Sequence, residues 1–288
     1  MQNSRNHLLF REQLSIFFGK GSSIWICTAI VIIFAFTAIF SPILTPYNPT
    51  DISFTDIMLG SSSTHLLGTD YLGRDLFTRL LYGARISLIT GILACSIAAI
   101  AGIFLGLLAG YFEGLIGQVI MRLTDAQLSI PPLILTMVLA SLFGGGIVGV
   151  SIVVGISMVP MYTRILYGKV LTIKENDYVL AAKLVGSKNS SILLKHVLPN
   201  CFPSLIVVFT MNLGYAIMLE AALSYLGLGI TAPTPAWGSM VSEGFKYLRS
   251  VPRIAILPGL CVLLLVISVN IIGDGVRDSL DPRLRGKI

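Results

Sequence analysis

Five long stretches without any Asp, Glu, Lys or Arg limit this 288-residue chain to a membrane fold. They cover residues 21–50, 86–112, 126–163, 196–219 and 254–273. A helix needs about 20 apolar residues to cross the hydrocarbon layer of a bilayer. Charged residues make up 12% of the chain, whereas soluble proteins carry about 25%. The sequence therefore predicts an all-α polytopic membrane protein.

The third stretch is too long for one membrane helix and contains Gly144-Gly145-Gly146 near its middle. Because consecutive glycines favour a turn, we predict a helical hairpin there. The first stretch lacks a small-residue cleavage site, so we interpret it as a retained span rather than a signal peptide. Six transmembrane helices are then expected, at about residues 24–44, 86–110, 122–143, 147–166, 203–223 and 255–274.

Lysine and arginine are distributed unevenly over the predicted loops. With the N-terminus in the cytoplasm, 14 of the 20 lie on the cytoplasmic side and 6 on the other. Cytoplasmic loops carry an excess of these residues, so the N-terminal segment 1–23 and the tail 275–288 are both predicted to be cytoplasmic. The asymmetry accounts for the formal net charge of +6, and no nucleic-acid partner is needed to explain it. We expect a multi-pass cell-membrane protein in contact with membrane lipid.

Two segments on the predicted outer side are unusually long. Residues 45–85 begin with a Pro/Asn/Thr-rich run and end in "GTDYLGRDLFTRLLYGAR". The apolar residues of that second piece recur at helical spacing, which predicts an amphipathic interfacial helix before the second span. Residues 227–253 contain "GLGITAPTPAWGSM", whose Gly and Pro content predicts a re-entrant or capping loop rather than a span.

The sequence offers no signature of covalent chemistry. It contains no G-x-x-x-x-G-K-[ST] phosphate loop, no H-E-x-x-H and no G-x-S-x-G,. Cys27, Cys95, Cys201 and Cys261 are scattered without metal or redox spacing,. We therefore expect no catalytic residue, no metal and no cofactor. If the protein performs work, an ion gradient or a separate ATPase must supply the energy.

The segment 168–202 is the largest loop on the predicted cytoplasmic side. Asn176 or Asp177 can cap a first helix that carries Tyr178, Ala181, Ala182 and Val185 on one face, and Gly186 can end that helix,. Asn189 or Ser190 can cap a second helix, whose predicted apolar face is Leu193, Leu194, Val197 and Leu198. On physical grounds alone, this pair either anchors the bundle at the membrane surface or presents a face to a partner protein.

The run "LAAKLVGSKNSSILLKHVLPN" resembles the E-A-A-x3-G-x9-I-x-L-P signature of permease subunits in binding-protein-dependent ABC importers. The residues that match are Ala181, Ala182, Gly186, Leu198 and Pro199. Leu180 stands where the signature has Glu, and His196 stands where it has Ile. A literal Glu220-Ala221-Ala222 also occurs, but it lies at the predicted outer end of the fifth span.

Four further runs resemble the oligopeptide, dipeptide and nickel branch of these permeases: "HLLGTDYLGRDLFTRLLYGARISL", "RLTDAQLSIPPLIL", "EAALSYLGLGITAPTPAWGSM" and "GDGVRDSLDPRLRG". The resemblance implies a type I ABC importer permease fold with a transmembrane core at 86–274. It also implies that the loop 168–202 is a coupling helix seated on an ATP-binding subunit. The coupling residues would be Tyr178, Ala181, Ala182, Gly186, His196, Leu198 and Pro199.

The same resemblance implies the partners and the cargo. The partners would be a second homologous permease, two ATP-binding subunits and an extracytoplasmic solute-binding protein, in the membrane of a prokaryote. The cargo would be peptides, with nickel or a metal chelate as the alternative. A secondary transporter driven by an ion gradient is the rival class, and it would require inverted repeats and mid-membrane acidic residues. Neither is evident in the sequence, and a purely structural scaffold would leave the coupling loop without a role.

A few residues inside the predicted spans carry further expectations. Arg122 and Asp125 are close enough in sequence to pair. Glu220, with Asn212 and Tyr215 on neighbouring turns, either lies on the translocation path or holds the 227–253 loop by hydrogen bonds. Three prolines are predicted to bend their helices and are candidate hinges: Pro131, Pro132 and Pro160.

Overall fold

The computed structural model describes residues 22–112 and 114–280. Within these ranges the chain is helical and contains no β-strand, although an isolated bridge pairs Thr69 with Asp75. Residues 1–21 and 281–288, which include most of the predicted cytoplasmic N-terminal segment and part of the tail, lie outside the described residues. The helices are α1 (Ser22–Leu44), α2 (Leu76–Tyr111), α3 (Leu115–Leu128), α4 (Pro132–Phe143), α5 (Gly146–Lys174), α6 (Asp177–Leu184), α7 (Asn189–Ile192), α8 (Leu198–Tyr225), α9 (Trp237–Phe245) and α10 (Arg253–Leu280).

Five helices of the described chain are long and apolar enough to cross a membrane, and a sixth span is complete if the bent pair α3 and α4 counts as one. The two helices of that pair meet at 97°. Pro132 is the first residue of α4, where its missing N–H costs no helical hydrogen bond. The predicted bend at Pro131-Pro132 is thus a break between two helices. Pro160, in contrast, lies inside the unbroken helix α5.

The second span differs from the prediction. Residues 74–85 do not form a separate interfacial helix, because α2 runs without a break from Leu76 to Tyr111, about 54 Å at 1.5 Å per residue,. Leu76, Leu80 and Ala84 are buried against the rest of the bundle. Arg79, which an interfacial helix would expose, is 1% exposed. Its guanidinium lies beside Asp70 and Glu243 and donates to the Pro49 carbonyl, so this part of the helix does not need the headgroup region.

Close packing of α2 against α5 forms the centre of the bundle. Gly102, Gly106 and Gly110 lie one turn apart on α2 and face α5. A Cβ atom added at Gly106 would be 2.8 Å from the Cβ of Leu166, and one at Gly110 would be 2.7 Å from the Cβ of Val170. Small residues at four-residue spacing let two helix backbones approach closely in a membrane. The stripe therefore fixes α2 and α5 to each other along several turns.

The bundle has two ends, which are named here by the loops they carry. Residues 175–200 and the C-terminal ends of α2, α5 and α10 lie at one end, called the 175–200 end. Residues 45–75 and helix α9 lie at the other, called the 45–75 end. The predicted tail 275–288 is helical as far as Leu280, because α10 continues to that residue.

Candidate functional site

The short helix α6 is the centre of the candidate coupling site. Asn176 is its N-cap residue and Val185 its C-cap residue. Gly186 has a φ of +81°, and two backbone bonds close the end: Gly186 N–H donates to Lys183 at 3.0 Å and Ser187 N–H to Ala182 at 3.1 Å. This is the Schellman arrangement, in which glycine is favoured because its φ is positive. A Cβ at Gly186 would meet nothing within 4 Å, so backbone conformation alone calls for glycine here.

One face of the 175–200 segment is anchored in the bundle. Val179, Ile192 and Val197 are fully buried. They form a single cluster with Leu107 of α2, residues Leu166, Val170 and Ile173 of α5, and Leu193, Cys201 and Leu205 on the α8 side. The end of α2 adds polar contacts, since the Tyr111 hydroxyl donates to Asn189 Oδ1 at 2.9 Å and the Lys183 ammonium lies 5.3 Å from the Tyr111 ring centroid. The segment is therefore held rigidly on two long spans.

The opposite face of this segment leaves apolar side chains uncovered. We call this the docking face and define it as Tyr178, Leu180, Leu184, Val185 and Leu194. Leu184 is 88% exposed and Val185 85% exposed, at the tip of α6. Leu194, predicted on the apolar face of the second helix, is 61% exposed, whereas Leu193 and Val197 of the same predicted face are buried. All three lie in a π-helical turn at Leu193–Val197. Exposed apolar residues grouped on a polar loop mark an interaction surface.

The predicted coupling residues divide between the two faces. Tyr178, Ala181, Gly186 and Pro199 are exposed, whereas Ala182, His196 and Leu198 are partly buried. The Tyr178 and His196 rings are 6.4 Å apart, so α6 and the π-helical turn touch there. Leu184 was not selected from the sequence. The sequence signal that could have identified Leu184 is that it is an apolar residue at the last position of α6, next to the C-cap residue Val185.

The sequence predicted that the second helix of the loop is separate from the fifth span, but the structure joins the two. Helix α7, the π-helical turn and α8 form one continuous helix over residues 189–225. Pro199 falls in the first turn of α8, and the Leu198 N–H donates to Leu193. The wider turn accommodates a proline that cannot donate a hydrogen bond. The predicted loop 168–202 is correspondingly shorter, because residues 168–174 belong to α5 and residues 189–202 to this helix.

Glu220 lies near the far end of the same helix and is 1% exposed. The Ser87 hydroxyl of α2 donates to its carboxylate at 3.3 Å, and the Ser224 hydroxyl donates at 2.8 Å. The Ser224 oxygen in turn accepts the Ile230 N–H at 2.9 Å. Glu220 is thus joined through Ser224 to the start of the 227–253 loop. This is the geometry expected of a carboxylate that holds that loop.

Asn212 and Tyr215, predicted alongside Glu220, are not among the hydrogen-bond partners that the described residues give it. Asn212 is 4% exposed, and its Nδ2 is buried without a hydrogen-bond partner in the described part of the chain. Tyr215 is half-buried and packs against the central apolar cluster. The structure therefore does not bring the three predicted pathway residues together as one polar site.

A buried ionic network joins the loops at the 45–75 end. Arg74 Nε donates to Asp70 at 2.6 Å, and an Arg74 terminal nitrogen donates to Glu243 at 2.9 Å. Arg79 lies 3.5 Å from Asp70 and 3.7 Å from Glu243. Burial lowers the pKa of the Arg74 guanidinium, but the charges of Asp70 and Glu243 outweigh burial and leave that pKa raised. The network therefore fastens residues 70–79 to helix α9.

One ion pair at the 175–200 end also differs from the prediction. Asp125 pairs with Arg164 of α5, rather than with Arg122 three residues before it in α3. Both partners are about half exposed, and exposed ion pairs of this kind contribute little stability. The pair nonetheless fixes which face of α3 is directed towards α5. Arg122 lines a neighbouring cavity of ≈ 370 Å³ together with Tyr167.

These features define a helical, polytopic membrane protein that carries a rigid, apolar-faced loop on two of its long spans. The chain belongs to the family described as the inner membrane component of binding-protein-dependent transport systems, which matches residues 102–286. It is accordingly an inner membrane protein of a transport system.

Relatives that match most of the chain carry transport names. The di/tripeptide transport system permease protein DppC of Pseudomonas aeruginosa is 40% identical over 262 residues, which cover 88% of this chain and 86% of that protein. The glutathione transport system permease protein GsiD of Pectobacterium atrosepticum is 38% identical, covering 86% of this chain and 83% of that protein. The probable D,D-dipeptide transport system permease protein DdpC of Escherichia coli is also 38% identical, covering 93% and 90%.

Solved structures confirm the fold. A chain of the inward-facing MetNI methionine ABC transporter superposes with a TM-score of 0.56 and 17% sequence identity, covering 72% of this chain and 98% of that chain. A second crystal form of the same transporter gives a TM-score of 0.53 at 16% identity, covering 69% and 96%. The predicted likeness to an ABC importer fold is therefore correct.

Proposed function

We propose that this chain is one permease subunit of an ATP-driven importer that carries di- and tripeptides or closely related small solutes across the cytoplasmic membrane. The docking face is the observation that carries the proposal. It combines uncovered apolar side chains with an anchored back face, which is what a surface needs to receive force from another protein. The names of the relatives support peptides over the nickel or metal-chelate alternative.

The proposed mechanism is alternating access driven from outside the chain. Two ATP-binding subunits close on ATP and displace the docking faces of this permease and of a second, homologous one. In this chain the displacement passes to the helix that spans residues 189–225, since its buried side chains Ile192 and Val197 belong to the same cluster as Val179. ATP hydrolysis is assigned to the partner subunits, and the permease contributes the translocation path for the solute. Tyr178, Ala181, Ala182, Gly186, His196, Leu198 and Pro199 are proposed to form or support the contact.

The proposed orientation places the 175–200 end and both termini in the cytoplasm, with six membrane spans. The excess of Lys and Arg on that side supports it,. The 45–75 end then faces outwards and receives a solute-binding protein. Residues 45–75 and α9 are locked together there by Arg74 and Glu243, which supplies a rigid surface for such a partner. The core 86–274 is proposed as the translocation unit, and the outer loop 227–253 is proposed to cap its outer end. The break at Pro131-Pro132 is proposed as a hinge between α3 and α4, and Pro160 as a hinge inside α5.

The docking face is tested by introducing charge at its most exposed positions. Leu184→Glu and Val185→Glu should each abolish co-purification with the co-expressed ATP-binding subunits, because a carboxylate cannot be buried there without a partner. Both side chains are more than four-fifths exposed, so the membrane level and folding of the permease should not change. Leu66→Glu at the 45–75 end, where Leu66 is 60% exposed, is the matched control and should leave ATPase binding intact.

Uptake in proteoliposomes separates this mechanism from an ion-coupled one. The reconstituted complex should transport dipeptide only when ATP is present on the cytoplasmic side of the membrane. Ionophores should not change this uptake. Normal ATPase co-purification by the Leu184→Glu variant, or uptake that follows an imposed ion gradient without ATP, would refute the proposed function.

A further inference from the structure

A cleft at the 175–200 end lies beside helix α8, which the proposed mechanism moves. It has a volume of ≈ 410 Å³ and opens between α5, α8 and α10. Two of its lining residues are cations, Lys169 and Arg277, and one is a serine, Ser204. The remaining lining side chains are apolar: Ile165, Pro203, Val207, Val208 and Leu280.

The two cations of the cleft, like most Lys and Arg side chains of the described residues, form no ion pair. Within residues 22–112 and 114–280, Arg74 and Arg79 share carboxylates at one end of the bundle, and Arg164 pairs with Asp125 at the other. Lys169 and Arg277 have no ion pair with any carboxylate in those ranges. Both are exposed, and both line the same cleft. A cleft with two unneutralised positive charges favours an anion.

The cleft is charged at its mouth and apolar in its interior. Lys169 lies five residues before the end of α5, and Arg277 lies three residues before the end of α10, so both cations are near the mouth. Ile165 lies one turn deeper on α5, and Val207 and Val208 lie two to three turns inside α8. Charges at the rim with an aliphatic interior match a phospholipid, whose phosphate stays at the surface while its acyl chains run inwards.

A peptide or other soluble anion fits the cleft less well. A peptide carries amide groups that need hydrogen-bond partners when they leave water. Among the lining side chains, only the Ser204 hydroxyl could supply one without being charged. In contrast, basic pockets between transmembrane helices on the cytoplasmic side suit anionic lipid headgroups.

We propose that this cleft binds one anionic phospholipid from the cytoplasmic leaflet. Its phosphate lies between Lys169 and Arg277, and an acyl chain follows Ile165 and Val207 into the bundle. The bound lipid joins the cytoplasmic ends of α5, α8 and α10 and stabilises their arrangement. The choice of leaflet depends on the orientation in the proposed function, whereas the existence of the site does not.

Native mass spectrometry of the full-length chain in detergent tests the site without any ATPase. Phosphatidylglycerol is the probe, and phosphatidylcholine of the same acyl composition is the zwitterionic comparison. We expect one phosphatidylglycerol to be retained per chain. The double variant Lys169→Gln/Arg277→Gln should weaken this about thirtyfold, from about 1 kcal/mol for each cation near anionic lipid. Lys246→Gln/Arg249→Gln removes the same charge on the opposite side and should retain the lipid.

A charge-preserving exchange keeps the test informative if the double variant purifies poorly. Lys169→Arg/Arg277→Lys should retain phosphatidylglycerol as the unmodified chain does. Equal retention of phosphatidylcholine, or full retention by the double glutamine variant, would overturn the proposal. So would displacement of the lipid by millimolar inorganic phosphate, a soluble anion, or by dialanine, a zwitterionic dipeptide, because the cleft would then bind a soluble solute instead of a lipid. These results are independent of ATPase co-purification by the docking-face variants, so the two proposals fail separately.

Discussion

Replacement of Ser224 by alanine distinguishes the two roles considered for Glu220. The Ser224 hydroxyl donates to the Glu220 carboxylate and accepts the Ile230 N–H, and all three groups are buried. Ser224→Ala therefore leaves one Glu220 oxygen, Oε1, and the Ile230 N–H without a hydrogen bond, at about 1–3 kcal/mol each, whereas Oε2 keeps its bond from Ser87,. We expect a loss of about 2–6 kcal/mol in the free energy of unfolding. Glu220→Gln replaces one of the two carboxylate oxygens by an NH₂ group, which cannot accept a hydrogen bond. We therefore expect this variant to lose about 1–3 kcal/mol in the free energy of unfolding.

The assay is the fraction of monodisperse protein that survives heating in detergent, measured by size-exclusion chromatography beside dipeptide uptake by the same preparations. If Glu220 holds the 227–253 loop, Ser224→Ala should destabilise the protein at least as much as Glu220→Gln. Uptake corrected for the folded fraction should then stay within about threefold of the unmodified protein in both variants. A Glu220→Gln protein of unchanged thermal stability that has lost uptake would refute this reasoning, because it would place the carboxylate on the substrate path.

Two further predictions concern local geometry. Gly186→Ala places a Cβ on a backbone with φ of +81° and should destabilise the end of α6 by about 1–2 kcal/mol, seen as faster proteolysis between α6 and α7. Gly168→Ala is the matched control, since Gly168 is helical with nothing within 4 Å, and it should be neutral or stabilising. Arg74→Met leaves Glu243 without its 2.9 Å partner and should cost about 3–5 kcal/mol in thermal stability. Arg164→Met, at a half-exposed pair, should cost less than about 1 kcal/mol.

Most of the long apolar helices could be predicted because they depend on local composition, although the second begins at Leu76 and the third is broken between α3 and α4. Charge-free stretches give the apolar length a span requires, and the predicted sixth helix, 255–274, lies inside α10. The end of α6 at Gly186 was predictable for a similar reason, since a left-handed residue after an apolar helix favours glycine. Such features depend on residues that are close in sequence.

The errors arose where the deciding partner is distant in sequence. The interfacial helix before the second span was predicted because the sequence alone does not reveal that Arg79 is buried beside Glu243, which lies 3.7 Å from it and more than 160 residues later. Asp125 was paired with its neighbour Arg122 because its partner Arg164 belongs to another helix. Leu194 was grouped with Leu193 and Val197 on one apolar face from a regular helical period, whereas the chain makes a π-helical turn there and Leu194 is exposed.

The continuous helix over residues 189–225 has a mechanical consequence. At 1.5 Å per residue its 37 residues extend about 55 Å,. One end is fixed in the cluster of Ile192 and Val197, and the other is tied through Glu220 and Ser224 to the loop that follows. A stiff lever of this length converts a tilt of about 5° at one end into a displacement of about 5 Å at the other. In the proposed mechanism, a small rotation at the docking face is therefore enough to reposition the opposite end of the bundle.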